Sequence, residues 1–251
     1  MRETDYAGLS HFQNYCKDLA DNYVIVGGFA TLMLLDRELE GHGKATFDID
    51  LVLLTNNSIE MSQRIKQYIK DGDYTIQIGE KNQYRYYRFI KPQKENFAKE
   101  IELFASNEND LALEDSQRII PIDPEEGLYS LSAIMLDPEY FEMIKNNVDK
   151  SVKAPCTNTQ ATIMLKMSAF CDLRDRNDRK WKKHRRDILK LALLLTGDEH
   201  IQLIGRMKYD FERFLSHIEN ELDPKAIKSF GDGLPIDKDQ IIEVMKQVFI
   251  A

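Results

Sequence analysis

The stretch Thr46-Phe47-Asp48-Ile49-Asp50-Leu51-Val52-Leu53-Leu54 decides how this chain is read. Its aliphatic and β-branched content predicts a strand from Phe47 to Leu54. Side chains at i and i+2 of a strand share a face, so Asp48 and Asp50 project together from an otherwise apolar ribbon. Two neighbouring carboxylates repel each other unless a cation sits between them. Hard oxygen ligands of this kind suit Mg²⁺, or Mn²⁺, which combines a few carboxylates with substrate phosphates. Thr46 lies on the same face and is placed to contact phosphate or metal.

Upstream, a helix is predicted from about Tyr6 to Leu19, then a short apolar strand, Tyr23–Val26, that stops at Gly27-Gly28. The Ala-, Leu- and Met-rich segment Phe29–Leu39 reads as a helix beginning directly after the glycines. Glycine lets backbone approach a phosphate, and a helix N-terminus offers free N–H groups and a favourable dipole. Gly43-Lys44-Ala45-Thr46 is not a phosphate loop of the GxxxxGK[ST] kind, because Glu38 and Ala45 stand where that motif needs Gly and Ser/Thr. With no GxGxxG either, a kinase-type or ATPase-type phosphate loop is excluded.

Downstream, Ile59–Lys70 has helical spacing, and Tyr74–Ile78, Tyr84–Ile90 and Glu100–Phe104 read as an antiparallel meander. Arg118–Ile122 adds a further expected strand. Glu102 stands between apolar Ile101 and Leu103, a carboxylate able to join the first two around divalent ions. Glu100 shares its face and competes for that role. Beyond Pro124 the pattern turns mostly helical, with helices expected near Ser132–Asn146, Gln160–Leu173, Arg179–Leu195, Glu199–Glu219 and Lys238–Phe249. Thr159, Asp198 and Asp237 are the expected N-caps and Gly197 a helix-ending glycine. The boundary between residues 1–124 and 125–251 is placed near Asp123-Pro124.

The 251 residues carry a formal net charge of −8, and 43% hydrophobic content rules out wholesale disorder. No apolar run approaches the roughly 18 residues of a membrane span. The opening residues lack the apolar core of a signal peptide, so the chain reads as soluble and cytoplasmic. Cys16, Cys156 and Cys171 are too far apart in sequence for a CxxC site and odd in number. The average charge hides an asymmetry: Lys145–Lys190 holds 13 Lys+Arg against 5 Asp+Glu. A concentrated basic stretch can hold a phosphate-rich ligand even in an acidic protein.

The order of these pieces resembles the nucleotidyltransferase superfamily related to DNA polymerase beta: Gly-Gly after a strand, a helix, a Thr-x-Asp-x-Asp strand and a lone acid on a later strand. Within it the chain is most similar to the AbiEii-type nucleotidyltransferase toxins. Their first signature is matched by Gly27-Gly28 and Thr46-Phe47-Asp48-Ile49-Asp50-Leu51, and their second by Lys166-Met167-Ser168-Ala169 followed by Arg186-Asp187-Ile188-Leu189. The second match departs at Lys190, where an acid is common, and in the heavily charged segment Asp172–His184.

The resemblance implies an α+β fold, a nucleotidyltransferase-type mixed sheet with flanking helices followed by a mostly helical C-terminal half. It implies Mg²⁺-dependent transfer of a nucleoside monophosphate from an NTP to an acceptor hydroxyl. Asp48, Asp50 and Glu102 would serve the metal, and Gly27, Gly28, Thr46 and Lys166 the nucleotide. Asp187 would orient Lys166 or help activate the acceptor. Arg174, Arg179, Lys182, Lys183 and Arg186, with Trp181 among them, would meet the acceptor, since cations beside an aromatic suit an RNA backbone and an unstacked base. RNA, tRNA above all, is the acceptor the toxin family implies, with an antitoxin protein as partner. A small hydroxylated acceptor such as an aminoglycoside, and an idle domain that binds only nucleotide or a partner, stay open.

Overall fold

The computed structural model describes residues 6–54, 59–79, 83–106, 119–122, 131–223, 225–227, 231 and 233–250. The expected boundary at Asp123-Pro124 and residue Arg118 lie outside the described residues. Helix α1 (Ala7–Tyr15) and a 3₁₀ turn (Lys17–Asn22) lead into β1 (Tyr23–Val26) and α2 (Gly27–Glu38). Strand β2 (Asp48–Leu53), helix α3 (Ile59–Asp71) and strands β3 (Thr75–Ile78), β4 (Tyr84–Ile90) and β5 (Glu100–Ala105) follow. Then come β6 (Ile119–Pro121), β7 (Ser132–Met135), α4 (Pro138–Asn146), β8 (Val148–Asp149) and β9 (Cys156–Thr157). The remainder is α5 (Thr159–Asp175), α6 (Trp181–Ala192), β10 (Ile201–Gln202), α7 (Gly205–Glu221), α8 (Lys238–Val248) and β11 (Phe249–Ile250).

The central sheet is mixed, in the order β3-β4-β5-β2-β1-β9-β8. β2 runs antiparallel to β1 and parallel to β5. β4 pairs with the first residues of β5, and β7 with its last two, Phe104 and Ala105. The meander expected from the Tyr/Phe/Ile runs is present as β3-β4-β5.

Strand alternation sorts the apolar side chains into two cores. Tyr23, Ile25, Ile49, Leu51, Leu53, Ile101 and Leu103 face one side, among Phe12, Ile65 and Tyr68 of α1 and α3. Val24, Val26 and Val52 face the other, among buried residues of α4 to α8. Helix α2 serves both: every residue from Phe29 to Leu35 is buried, which is why its sequence is apolar all round rather than striped. Burying each large apolar side chain contributes about 1.5–3 kcal/mol, so these interleaved faces fix the register of the sheet.

Some expected boundaries move. Ser132–Asn146 is not one helix: Ser132–Met135 pairs as β7, and α4 begins at Pro138, whose fixed φ suits the first helical position. Asn158, not Thr159, caps α5, its side chain accepting the Ala161 N–H at 3.0 Å. Asp198 caps nothing helical, because α7 begins only at Gly205. Asp237 does cap α8, accepting the N–H groups of Asp239 and Gln240.

Candidate active site

The parallel pairing of β2 with β5 sets Asp48 beside Glu100 and Asp50 beside Glu102. All four carboxylates share one sheet face, the continuation of the face that carries Val52 and Phe104 into the helical core. Asp48 is exposed and Asp50 is partly enclosed. Burial, then Glu102 and Asp48, push the Asp50 pKa up to about 7, opposed by Lys166 and by the Gly28 N–H that the carboxylate accepts. Burial also raises Glu102, while Arg88 holds it down.

Arg88, opposite Glu102 on β4, reaches both glutamates. Its Nη2 lies 2.5 Å from Glu100 Oε1 and its Nη1 3.4 Å from Glu102 Oε1. No sequence signal announced this arginine, because the β4/β5 register depends on a connection whose length is not written in either strand.

The glycines work by steric exclusion. Gly27 has φ +67°, and a Cβ there would collide with Asp50 Oδ2. A Cβ on Gly28 would come 2.8 Å from Thr46 Oγ1. Both positions therefore admit only glycine without displacing a site residue.

Lys166 on α5 is buried and its Nζ donates to Asp187 Oδ2 of α6 at 3.0 Å. Burial alone would raise the Asp187 carboxyl, but Lys166, then Arg186 and Lys183, bring it below the ordinary carboxylate range. His184, one turn earlier, is pushed down to about 4 by burial and by Lys166, so it is neutral at pH 7. Its Nδ1 is buried without a hydrogen-bond partner among the described residues.

A cavity of about 230 Å³ opens between α2 and α6, roofed by the loop from Gly41 to Thr46. Gly28, Thr31 and Leu35 form one wall; Lys183, Arg186, Asp187 and Lys190, at i, i+3, i+4 and i+7, form the other. Lys44 and His42 come from the loop, and Lys190 Nζ donates to the His42 carbonyl at 3.4 Å. Four cationic side chains thus face one carboxylate that already has Lys166. The cavity adjoins the carboxylates, since Gly28 lines it while its N–H binds Asp50, and Thr46 lines it two residues before Asp48.

No protein-family model matches the chain, and no curated protein does. Among solved structures, the chain is similar to an antigenic nucleotidyltransferase-like protein from Paracoccidioides brasiliensis. That likeness has a TM-score of 0.51 at 14% identity and covers 91% of this chain and 93% of that one. The fold is nucleotidyltransferase-like.

Within this nucleotidyltransferase-like fold the basic stretch splits. Lys183 and Arg186 line the cavity. Arg179 and Lys182 are exposed. Arg174 grips Glu221 with both Nη atoms and bonds His217 Nδ1 at 2.8 Å, tying α5 to α7. Trp181 makes T-shaped contacts with Phe170 and His217, with Arg185 5.0 Å from its ring centre, so the ring is engaged in packing between helices. Among the described residues no three His, Cys, Asp or Glu side chains form a ready metal-ligand group, and no helix is long and apolar enough to cross a membrane.

Proposed function

We propose that the protein is a nucleotidyltransferase that moves a nucleoside monophosphate from an NTP to a hydroxyl of RNA. The observation that carries this reading is continuity: paired carboxylates open directly onto a cation-lined cavity at a helix N-terminus, through Gly28 and Thr46. The donor set suits Mg²⁺. Asp48 and Asp50 are hard oxygen ligands, their mutual repulsion marks a deficit of positive charge, and Mg²⁺ binds through one or two carboxylates plus substrate phosphates. Asp48 and Asp50, with Glu102 as the third acid, would hold Mg²⁺ or Mn²⁺, which would supply charge neutralisation on the phosphate oxygens.

The chain's own residues do the rest. The triphosphate occupies the cavity, with Lys183, Arg186 and Lys44 on its oxygens and the α2 N-terminus beside it. Lys166, held by Asp187 and within electrostatic reach of Asp50, would lend its charge to the nucleotide phosphates. The acceptor oxygen bonds to the α-phosphorus, the bond from that phosphorus to the β-phosphate oxygen breaks, and pyrophosphate leaves. The hydroxyl proton passes to Glu102, or to Glu100 beside it. Catalysis on this account is positioning and electrostatics. The physiological proposal, by family resemblance, is an AbiEii-type toxin under control of an antitoxin protein.

The test is label transfer from each α-labelled NTP with Mg²⁺, offering total tRNA or an aminoglycoside mixture, with Asp48→Ala/Asp50→Ala as the blank. Label on tRNA that the double variant does not produce supports the proposal. Label on the small molecules, or NTP binding with no transfer to either, sinks it.

A further inference from the structure

Two glutamates compete for the place of third acid, and the structure does not treat them alike. The β2/β5 register sets Glu102 beside Asp50 and Glu100 beside the exposed Asp48. Of the two, Glu102 is the one whose charge acts on Asp50. On the other edge of β5, Arg88 of β4 stands directly opposite Glu102. Its guanidinium nonetheless lies closer to Glu100, with Nη2 2.5 Å from Oε1, than to Glu102, where Nη1 is 3.4 Å from Oε1. The first distance is that of a full charge-assisted bond and the second is marginal.

The backbone fixes this arginine in place. Phe89 is buried on the far face and paired on both sides, with Ile76 of β3 and Ile101 of β5. Next to it the β3/β4 register jumps, from Ile76 with Phe89 to Gln77 with Arg85, and Arg88 marks the end of the β4/β5 pairing. Irregularities of this kind aim side chains beside functional sites. Among the described residues Arg88 Nε is buried with no hydrogen-bond partner, so the guanidinium is held through its Nη groups. Arg85 is on the same face but bonds Gln77 Oε1 at 3.4 Å, and it reaches Glu102 only through its charge.

We propose that Arg88 is a positioning residue that divides the two glutamates: it takes Glu100 as its ion-pair partner and leaves Glu102, steadied by the other arm of the fork, as the single third acid beside Asp50. A planar guanidinium can set two carboxylates at once, which a lysine, a point charge on a flexible stem, cannot. The same guanidinium competes with a divalent cation for the charge of those carboxylates. Its charge therefore opposes metal binding while its geometry serves the reaction. Removing it should move metal affinity and turnover in opposite directions, whereas an arginine that only joined β4 to β5 would lower both or neither. The inference rests on the nucleotidyltransferase reading for the role of the third acid, and a metal-binding measurement separates the two.

Mn²⁺ is titrated into full-length protein at one fixed pH and salt concentration and followed by electron paramagnetic resonance, with label transfer measured in parallel on the same variants. Glu102→Gln should weaken Mn²⁺ binding by about tenfold or more, and Glu100→Gln by less. Arg88→Met should bind Mn²⁺ about threefold or more tighter, yet lower kcat by about tenfold with KM for the NTP near the wild-type value. Arg88→Lys keeps the charge without the fork. It should bind Mn²⁺ as the wild type does and still turn over slowly, and it carries the test if Arg88→Met does not fold. Mn²⁺ binding weakened by Glu100→Gln as much as by Glu102→Gln overturns the division. So does Arg88→Met with Mn²⁺ affinity no higher, or kcat no lower, than the wild type. Full turnover in Arg88→Lys, or a wild type that binds no Mn²⁺, overturns it too. Mn²⁺ binding as expected across the variants, with no transfer by the wild type, counts against the proposed function and not against the division.

Discussion

Asp50 and Asp187 are both enclosed carboxylates within electrostatic reach of Lys166, and they are pushed in opposite directions. Asp187 has the ammonium at 3.0 Å and ends below its ordinary 3.8. Asp50 has two more acids for neighbours and a backbone N–H for help, and rises to about 7. A buried charge with a fixed partner is part of the scaffold; one set among like charges is complete only when something else arrives. The α5/α6 pair therefore holds a lysine in place, whereas the β2/β5 ledge keeps its like charges crowded together.

That contrast can be broken first at the ledge. Asp48→Ala/Asp50→Ala should lower transfer by at least about 10³-fold, roughly 4 kcal/mol, while leaving the fold intact by circular dichroism. Next comes the pair. Lys166→Met strands a buried carboxylate and should cost about 3 kcal/mol in chemical denaturation at pH 7. Adding Asp187→Asn should recover part of that loss, which a purely catalytic lysine would not do.

The pH dependences should run in opposite senses. Asp187, depressed in the folded state, contributes stability that is present above about 3.8 and lost as pH falls through its lower folded value. Asp50, raised to about 7, contributes stability that is full below 3.8 and lost as pH rises through 7. Metal-free Asp50→Asn should therefore melt on the order of 5 °C higher than the wild type at pH 8 and no higher at pH 4. Mg²⁺ should give the wild type a similar gain at pH 8. The smallest effect belongs to a pair that neither region depends on: Glu221→Ala releases Arg174 at a half-exposed site and should cost less than about 1 kcal/mol.

The carboxylate strand was legible because two acids in an aliphatic run have few structural excuses. The expected strand Phe47–Leu54 differs from the observed Asp48–Leu53 only at its ends. The helices of the second half were legible by period. The two-residue strands β8 and β9 were not, since so short a strand has no period to read. Trp181 among cations reads equally as a stacking surface or a packed ring, and only the tertiary neighbours Phe170 and His217 decide. Arg88 needed the register of β4, which the bulge removes from simple counting. The cavity was half visible: Gly28, Thr46, Lys183, Arg186 and Asp187 were singled out, but Lys44 entered only as part of a phosphate loop that failed, and its loop folds over the site regardless.

The place of β9 has a consequence for how the chain is made. β1 finds its partner on one edge early, when β2 emerges from the ribosome, but its other edge pairs with β9 through Ile25 and Cys156. Val24 and Val26, on the face beneath, are buried among helices made after β5, from α4 to α8. A nascent chain that has reached β5 therefore holds an open strand edge and an uncovered apolar face until more than fifty further residues have been added, a window in which nascent chains pair with each other or are captured by chaperones.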